Sequence, residues 1–193
     1  MNKLNPITAD RLLLRPHHLW SAQWLLLTAG DFAAGAFNTM AVGWGSFGTM
    51  WGKPFAQVVV RPGRHTRIFM DQYDTFTLCA FPERYRPAVK LLGTKSGRDG
   101  HKIDESGLTP VAASRVAAPA FAEAELVIEC RKIYWQDMHP ANFLDPAIAK
   151  SYPQKDYHRI YFGEMLAIAG TDAFRPTCCD PQKPKLDARP ANR

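Results

Sequence analysis

Residues 43–48 read GWGSFG and match G-x-G-x-x-G letter for letter. In a dinucleotide-binding loop that pattern closes a strand and opens a helix, whose N-terminus then faces a pyrophosphate. The residues that follow, TMWGKPF at 49–55, decide against such a loop. Gly52 and Pro54 fall within what would be the opening turns of the helix. Glycine is a poor interior helix residue, and proline removes a hydrogen bond and clashes with the preceding turn. The stretch before it, FNTMAV at 37–42, is strand-like. Half of the required context is present and half is missing, so the glycines need another purpose.

On either side the chain is rich in strand-like runs: QWLLLTAG (23–30), NTMAVGWG (38–45), FAQVVVRP (55–62), DTFTLCAF (74–81), FAEAELVIECRKIYWQ (121–136) and HRIYFGEMLAIAG (158–170). β-Branched and aromatic enrichment marks them, and the 121–136 run opens with the apolar/Glu alternation of a strand with one wet face. Helical segments are short. HTRIFMDQY (65–73) carries Ile68, Phe69 and Tyr73 on helical spacing, and PERYRPAVKLLGT (82–94) has Pro87 weakening its middle. DGHKIDESG (99–107) offers Asp99 as N-cap and ends at Gly107, while DPAIAKSY (145–152) offers Asp145 as cap with Pro146 in first position. Strands that do not alternate with long helices predict a mainly β, antiparallel barrel or sandwich. Residues 1–174 read as one domain. Residues 175–193, with four prolines and almost no apolar periodicity, read as a flexible tail.

The 193 residues are 46% hydrophobic, enough for a sizeable core. The net charge of +6 favours an anionic ligand. Lys and Arg are scattered and no nucleic-acid signature stands out, so nucleic acid is not an expected partner. The N-terminus lacks an uninterrupted apolar signal region, and the apolar stretch 24–37 is cut by Gly30, Asp31 and Gly35. A cytoplasmic protein without a membrane span is the expectation. Cys79 and Cys130 sit in strand-like runs and read as core residues. The adjacent Cys178 and Cys179 read as reduced surface thiols, with a soft-metal site or redox switch as the alternative. No zinc spacing and no G-x-S-x-G nucleophile elbow is present, so no metal and no catalytic side chain is assigned.

Four segments concentrate chemistry. NTMAVGWGSFG (38–48) lets a ligand lie against backbone groups, bracketed by Asn38 and Trp44. RPGRHT (61–66) sets Arg61, Arg64 and Thr66 around a turn leading into a helix, an arrangement that suits phosphate. SGRDGHK (96–102) adds Ser96, Arg98 and Lys102, and KDYHRIYFGE (155–164) adds His158 and Phe162. Two phosphate-type turns beside a glycine-rich apolar strand suggest one planar ligand with a single phosphate arm. FMN fits; FAD would also fit, but needs room for an adenosine half that the sequence does not visibly provide.

Together these segments, with TFTLCAF, AELVIECRKIYWQDM and YPQKDYHRIYFGE, resemble the flavin reductase-like, flavoredoxin-type proteins of the FMN-binding split-barrel superfamily. The likeness runs from about residue 20 to 170. It implies a six-stranded antiparallel Greek-key split β-barrel with short helical inserts, usually a homodimer with FMN near the subunit interface. It places Asn38, Thr39, Met40 and Ala41 along the isoalloxazine edge with Trp44 close by. Arg64 and Thr66, closed by Ser96 and Lys102, hold the phosphate, with Arg61 and Arg98 in the same turns. It has His158 and Phe162 approach the flavin, with the other subunit as a candidate source. The chain departs from the family pattern at Ala41 (commonly Thr), His65 (often Tyr) and His101 (often a carboxylate). The activity implied is an FMN-dependent oxidoreductase of NAD(P)H:flavin reductase type. The alternative is an electron-transfer flavoprotein reduced by a partner protein.

Overall fold

The computed structural model describes residues 3–176. Its strands are β1 (Asn5–Pro6), β2 (Leu25–Asp31), β3 (Ala36–Val42), β4 (Gly45–Met50), β5 (Lys53–Val60), β6 (Thr75–Ala80), β7 (Pro110–Val111), β8 (Ala120–Phe121), β9 (Leu126–Asp137) and β10 (Arg159–Gly170). The α-helical segments are α1 (Pro16–His18), α2 (Thr66–Gln72), α3 (Arg86–Thr94) and α4 (Lys102–Ser106). Eight strands form one antiparallel sheet in the order β3-β2-β6-β9-β10-β5-β4, with β1 added to β10. β6, β9 and β10 are successive neighbours and β5 returns beside β10, a Greek-key connection. β3 and β4 end the path without pairing to each other, so the barrel is split.

Each of the six expected strands is present, from β2 and β3 to β9 and β10, but the 121–136 run is cut: its alternating opening, residues 122–125, is a turn, and β9 begins at Leu126. A second difference lies in the opening stretch. The expected strand 38–45 stops at Val42, and Gly45–Met50 forms a strand of its own that pairs with β5 from Gly45–Val58 to Met50–Lys53. Trp51 and Gly52, both at positive φ (52° and 69°), make the two-residue turn of this hairpin. The glycines of GWGSFG therefore serve a strand-to-strand corner and no helix follows them. A Cβ on Gly45 would lie 2.4 Å from the Gln57 carbonyl oxygen and 2.5 Å from the Trp20 ring. Only a bare backbone lets Trp20 dock there.

Apolar side chains cover both sheet faces. Leu25, Leu26 and Leu27 are all fully buried. Leu25 and Leu27 join the inner core with Val58, Phe76, Leu78, Ile128 and Tyr161. Leu26 joins a second core with Cys79, Val89, Leu92 and Phe121, beneath α3 and the small β7–β8 sheet. A strand buried on two faces reads as a continuous apolar run, which is why WLLL does not alternate. Cys79 and Cys130 are fully buried core residues, and burial pushes the Cys79 thiol up to about 12.

Three local expectations are corrected. Pro87 stands in the first turn of α3, where its missing N–H costs nothing, and residues 83–85 form a separate 3₁₀ turn. Asp99 does not cap α4: the helix follows His101 without a side-chain cap, and the Asp99 N–H donates to the Ser96 carbonyl in a turn. The 145–152 helix is 3₁₀ over Pro146–Ser151, and Asp145 does cap it, accepting from the Ala147 N–H at 2.8 Å. Cys178, Cys179 and the tail from residue 177 lie outside the described residues. Among the described residues no helix is long and apolar enough to cross a membrane.

Candidate functional site

The open edge of β3 runs between two cavities that share Met40 and Arg64. The first, about 90 Å³, is walled by Asn38 and Met40 of β3, the 63–66 turn ahead of α2, the 94–97 loop after α3, and Lys102 of α4. The Asn38 amide donates to the Thr66 hydroxyl at 2.7 Å, tying β3 to the start of α2. A Cβ on Gly97 would lie 2.3 Å from the Asn38 side-chain oxygen Oδ1 and 2.9 Å from the His65 ring, so a side chain at residue 97 would displace the Asn38 amide.

Lys102 decides the chemistry of this cavity. It is 4% exposed, yet its ammonium meets only the Leu92 and Lys95 carbonyls, at 3.0 and 3.1 Å. Among the described residues it has no carboxylate partner. Burial, then the nearby Arg64 guanidinium, pulls its pKa down to about 8. An ammonium offers three hydrogens, and two are used. Arg64 adds a second cation, anchored by the Gly93 carbonyl at 2.9 Å and free of any ion pair among the described residues. Lys95 is neutralised by Glu105 at 2.6 Å. Burial, then the Arg98 and Lys102 charges, lowers the His65 pKa below the usual imidazole value, and its buried Nδ1 has no hydrogen-bond partner among the described residues. A buried charge without a counter-ion and an orphaned ring nitrogen are costly in an empty protein. An anion would supply the missing counter-ion to Lys102, and would accept from the His65 ring nitrogen in the tautomer that protonates Nδ1.

The second cavity, about 160 Å³, has an apolar floor of Met40, Val42 and Val59 beneath Trp44, Arg61 and His158. As an end strand, β3 directs the N–H and C=O of alternate residues away from β2 toward this space. The Trp44 and His158 rings pack at 5.0 Å between centroids. Tyr152 holds His158 through Nδ1 at 2.8 Å, and burial drags the imidazole down to about 4, so it is neutral at pH 7. Arg61 bonds Asp156 at 2.8 Å and the Ser151 carbonyl at 2.7 Å, so its charge is largely spent on the 151–156 loop.

Asn38, Met40, Arg64, Thr66, Ser96 and Lys102 thus gather around the first cavity, and Met40, Ala41, Trp44, Arg61, Arg64 and His158 around the second. Three expected residues stand apart. The Thr39 hydroxyl faces Thr28 inside the sheet at 2.9 Å, because strand alternation turns it away from Asn38 and Met40. Arg98 reaches the Gly63 carbonyl at 3.1 Å, outside both cavities. Phe162 lies with Phe55 and Tyr134, at 5.4 and 5.7 Å, away from this chain's own clefts. The sequence reading did not assign His65, Lys95 or Val59 to the site; His65 carried a signal, its place between Arg64 and Thr66.

The family profile described as flavin reductase like domain matches residues 20–175, most of the chain. The chain belongs to the flavin reductase-like family. Solved structures agree on the fold of this flavin reductase-like protein. An FMN-binding domain of a flavin reductases-like enzyme from Shewanella baltica superposes with a TM-score of 0.63 at 17% identity, covering 91% of this chain and 86% of that one. The flavoredoxin of Desulfovibrio vulgaris gives 0.61 at 20% identity, covering 80% and 73%. An NADH:FAD oxidoreductase of Streptomyces globisporus gives 0.61 at 14% identity, covering 79% and 78%. A comparison with curated sequences returns no match. The chain therefore has a flavin reductase-like split-barrel fold; Arg64, Ser96 and Lys102 would hold a phosphate, and the β3 edge with Met40, Val42 and Val59 would take a ring system.

Proposed function

We propose that this flavin reductase-like protein binds FMN across the two cavities and acts as an NAD(P)H-dependent oxidoreductase of flavin reductase type. The observation that carries the reading is Lys102, a buried ammonium without a counter-ion beside Arg64. Bound there, FMN supplies the two-electron redox chemistry that no side chain here offers. Arg64 and Lys102 neutralise the phosphate and fix the cofactor's register. The open backbone edge of β3 orients the ring edge, and Met40, Val42 and Val59 exclude water beneath it. Arg64 sets positive charge at the cleft wall, which favours an electron-rich ring. His158, neutral at pH 7, packs against Trp44 and keeps a single ring N–H, so it brings no positive charge to the cleft.

We also propose a homodimer, since Phe162 points away from its own cleft into an aromatic strip with Tyr134 and the exposed Trp51. Sedimentation equilibrium tests this: a strictly monomeric FMN-loaded chain overturns it.

The function is tested by a visible spectrum after incubation with FMN and removal of free ligand, followed by anaerobic NADH or NADPH. A structured flavin spectrum bleached by either nicotinamide supports the reductase. The likeness to the Desulfovibrio flavoredoxin favours a second reading, electron transfer from a partner protein. A bound flavin that ignores both nicotinamides yet bleaches with a reduced protein donor selects it. A colourless protein overturns both.

A further inference from the structure

A third cavity, about 230 Å³, lies on the far side of the β3–β4 corner and shares Ala41, Val42, Gly43 and Arg64 with the ring cleft. Its remaining walls are Trp24, between α1 and β2, and Lys90, Gly93 and Thr94 of α3. Nothing in the FMN assignment uses Trp24 or Lys90.

The cavity is built from a mismatch of small and large residues. A Cβ on Gly93 would meet the Ala41 methyl at 2.8 Å, so two minimal side chains let α3 approach β3 while the space beside them stays open. Trp24 forms the opposite wall in a backbone conformation that L-residues rarely adopt, φ 63° and ψ 153°. Such strain persists only where the surroundings impose it, and it concentrates at ligand sites. Here the Arg86 guanidinium stacks on the indole at 4.2 Å and donates to the Ala22 and Gln23 carbonyls, clamping the turn. The indole edge lies against Gly43, where a Cβ would sit 3.2 Å from the ring. The wall is therefore a rigid aromatic surface. At the rim stand Lys90, exposed on α3, and Arg64, neither with a carboxylate partner among the described residues.

With Arg64 engaged by the FMN phosphate, an indole wall, apolar strand backbone and the Lys90 ammonium at the rim recognise a flat aromatic ring bearing an anionic arm. The volume falls below the roughly 300 Å³ at which drug-sized sites begin, so it takes one ring system with its arm directed to the rim. We infer that the Trp24–Lys90 cavity is a second ligand site beside the FMN cleft, for an aromatic ring with a phosphate or carboxylate arm. It rests on the FMN reading, because contiguity with the ring cleft makes its occupant a reaction partner. Two sources share this chemistry: the adenosine phosphate half of a nicotinamide dinucleotide, and an aromatic carboxylate serving as electron acceptor.

The test uses FMN-loaded protein, so that the phosphate cavity is already filled. Adenosine monophosphate and benzoate are titrated separately by calorimetry into the wild type and Lys90→Glu, an exposed helix position where the fold is not at stake. FMN retention is read first, from the visible spectrum of each sample. One probe is expected to bind, more weakly at high salt, with its Kd raised about ten-fold in Lys90→Glu, the equivalent of ~1.4 kcal/mol. Adenosine monophosphate as that probe assigns the cavity to the electron donor; benzoate assigns it to the acceptor. FMN-loaded protein that binds neither at millimolar concentration, or binds both variants equally, overturns the second site and leaves the FMN reading standing. A chain that holds no FMN overturns both.

Discussion

Lys102 and Arg64 carry the strongest consequences at the scale of single residues. On the proposed FMN placement, truncating Arg64 to alanine would remove a charge-assisted hydrogen bond to the phosphate, worth ~1.5–3 kcal/mol. The FMN Kd is expected to rise about 10- to 100-fold, read by flavin fluorescence titration; an unchanged Kd removes Arg64 from the phosphate site. Lys102 gives a pH signature. Its pKa is near 10.5 in the unfolded chain and about 8 in the folded one. Between those values the unfolded chain holds more protons, so the stability of the FMN-free protein rises with pH across that window, by about 3 kcal/mol at most. A bound phosphate supplies the missing counter-ion and restores the pKa, so the FMN-loaded protein should lack the rise. Urea midpoints at either end of the window, with and without FMN, check this; identical slopes would show that no anion reaches Lys102. The sequence made Arg64 and Lys102 legible as cations beside turns. It could not show that Lys102 is buried unpaired, or that Arg61 is claimed by Asp156, a partner 95 positions away. Pairings of that range are properties of the folded chain.

Among the elements, the β3–β4 corner at residues 43–45 governs whether the site forms, because it sets both the ring cleft and the seat of Trp20. In Gly45→Ala the new methyl meets the Gln57 backbone and the Trp20 ring, and backbone cannot yield as a flexible side chain can. Overpacking of this kind costs ~1–3 kcal/mol. Thermal unfolding is expected several °C lower, with β content by circular dichroism retained in the folded state. A Tm equal to wild type would mean that the corner tolerates a side chain. Runs such as AQVVV and TFTLCA were legible because β-branched and aromatic residues cluster in them. The break between β3 and β4 was not. Gly43 and Trp44 extend a strand-like pattern in composition, and only pairing of Gly45 with Val58 separates the two strands. Pro87 shows the same gap: proline reads as a helix breaker until the start of the helix is known.

For the whole molecule, the decisive fact is that the sheet does not close. Glycine, apolar periodicity and the absence of long helices announced an antiparallel β protein, and the basic balance announced an anionic ligand. Where the sheet would split was not written in any local pattern, since strand order follows from long-range register. The split leaves β3 with one hydrogen-bonding edge unpaired along the cavities. An unpaired edge is also a template, able to accept a strand from another molecule. A cofactor lying along β3 would block that addition as well as perform chemistry. The cofactor-free protein is accordingly expected to scatter light sooner than the FMN-loaded form at equal concentration and temperature; equal rates would mean that the edge is guarded by the polypeptide itself. If the proposed flavin guards that edge, flavin supply would set the lifetime of the polypeptide as well as its activity, and a shortage of one would deplete the other.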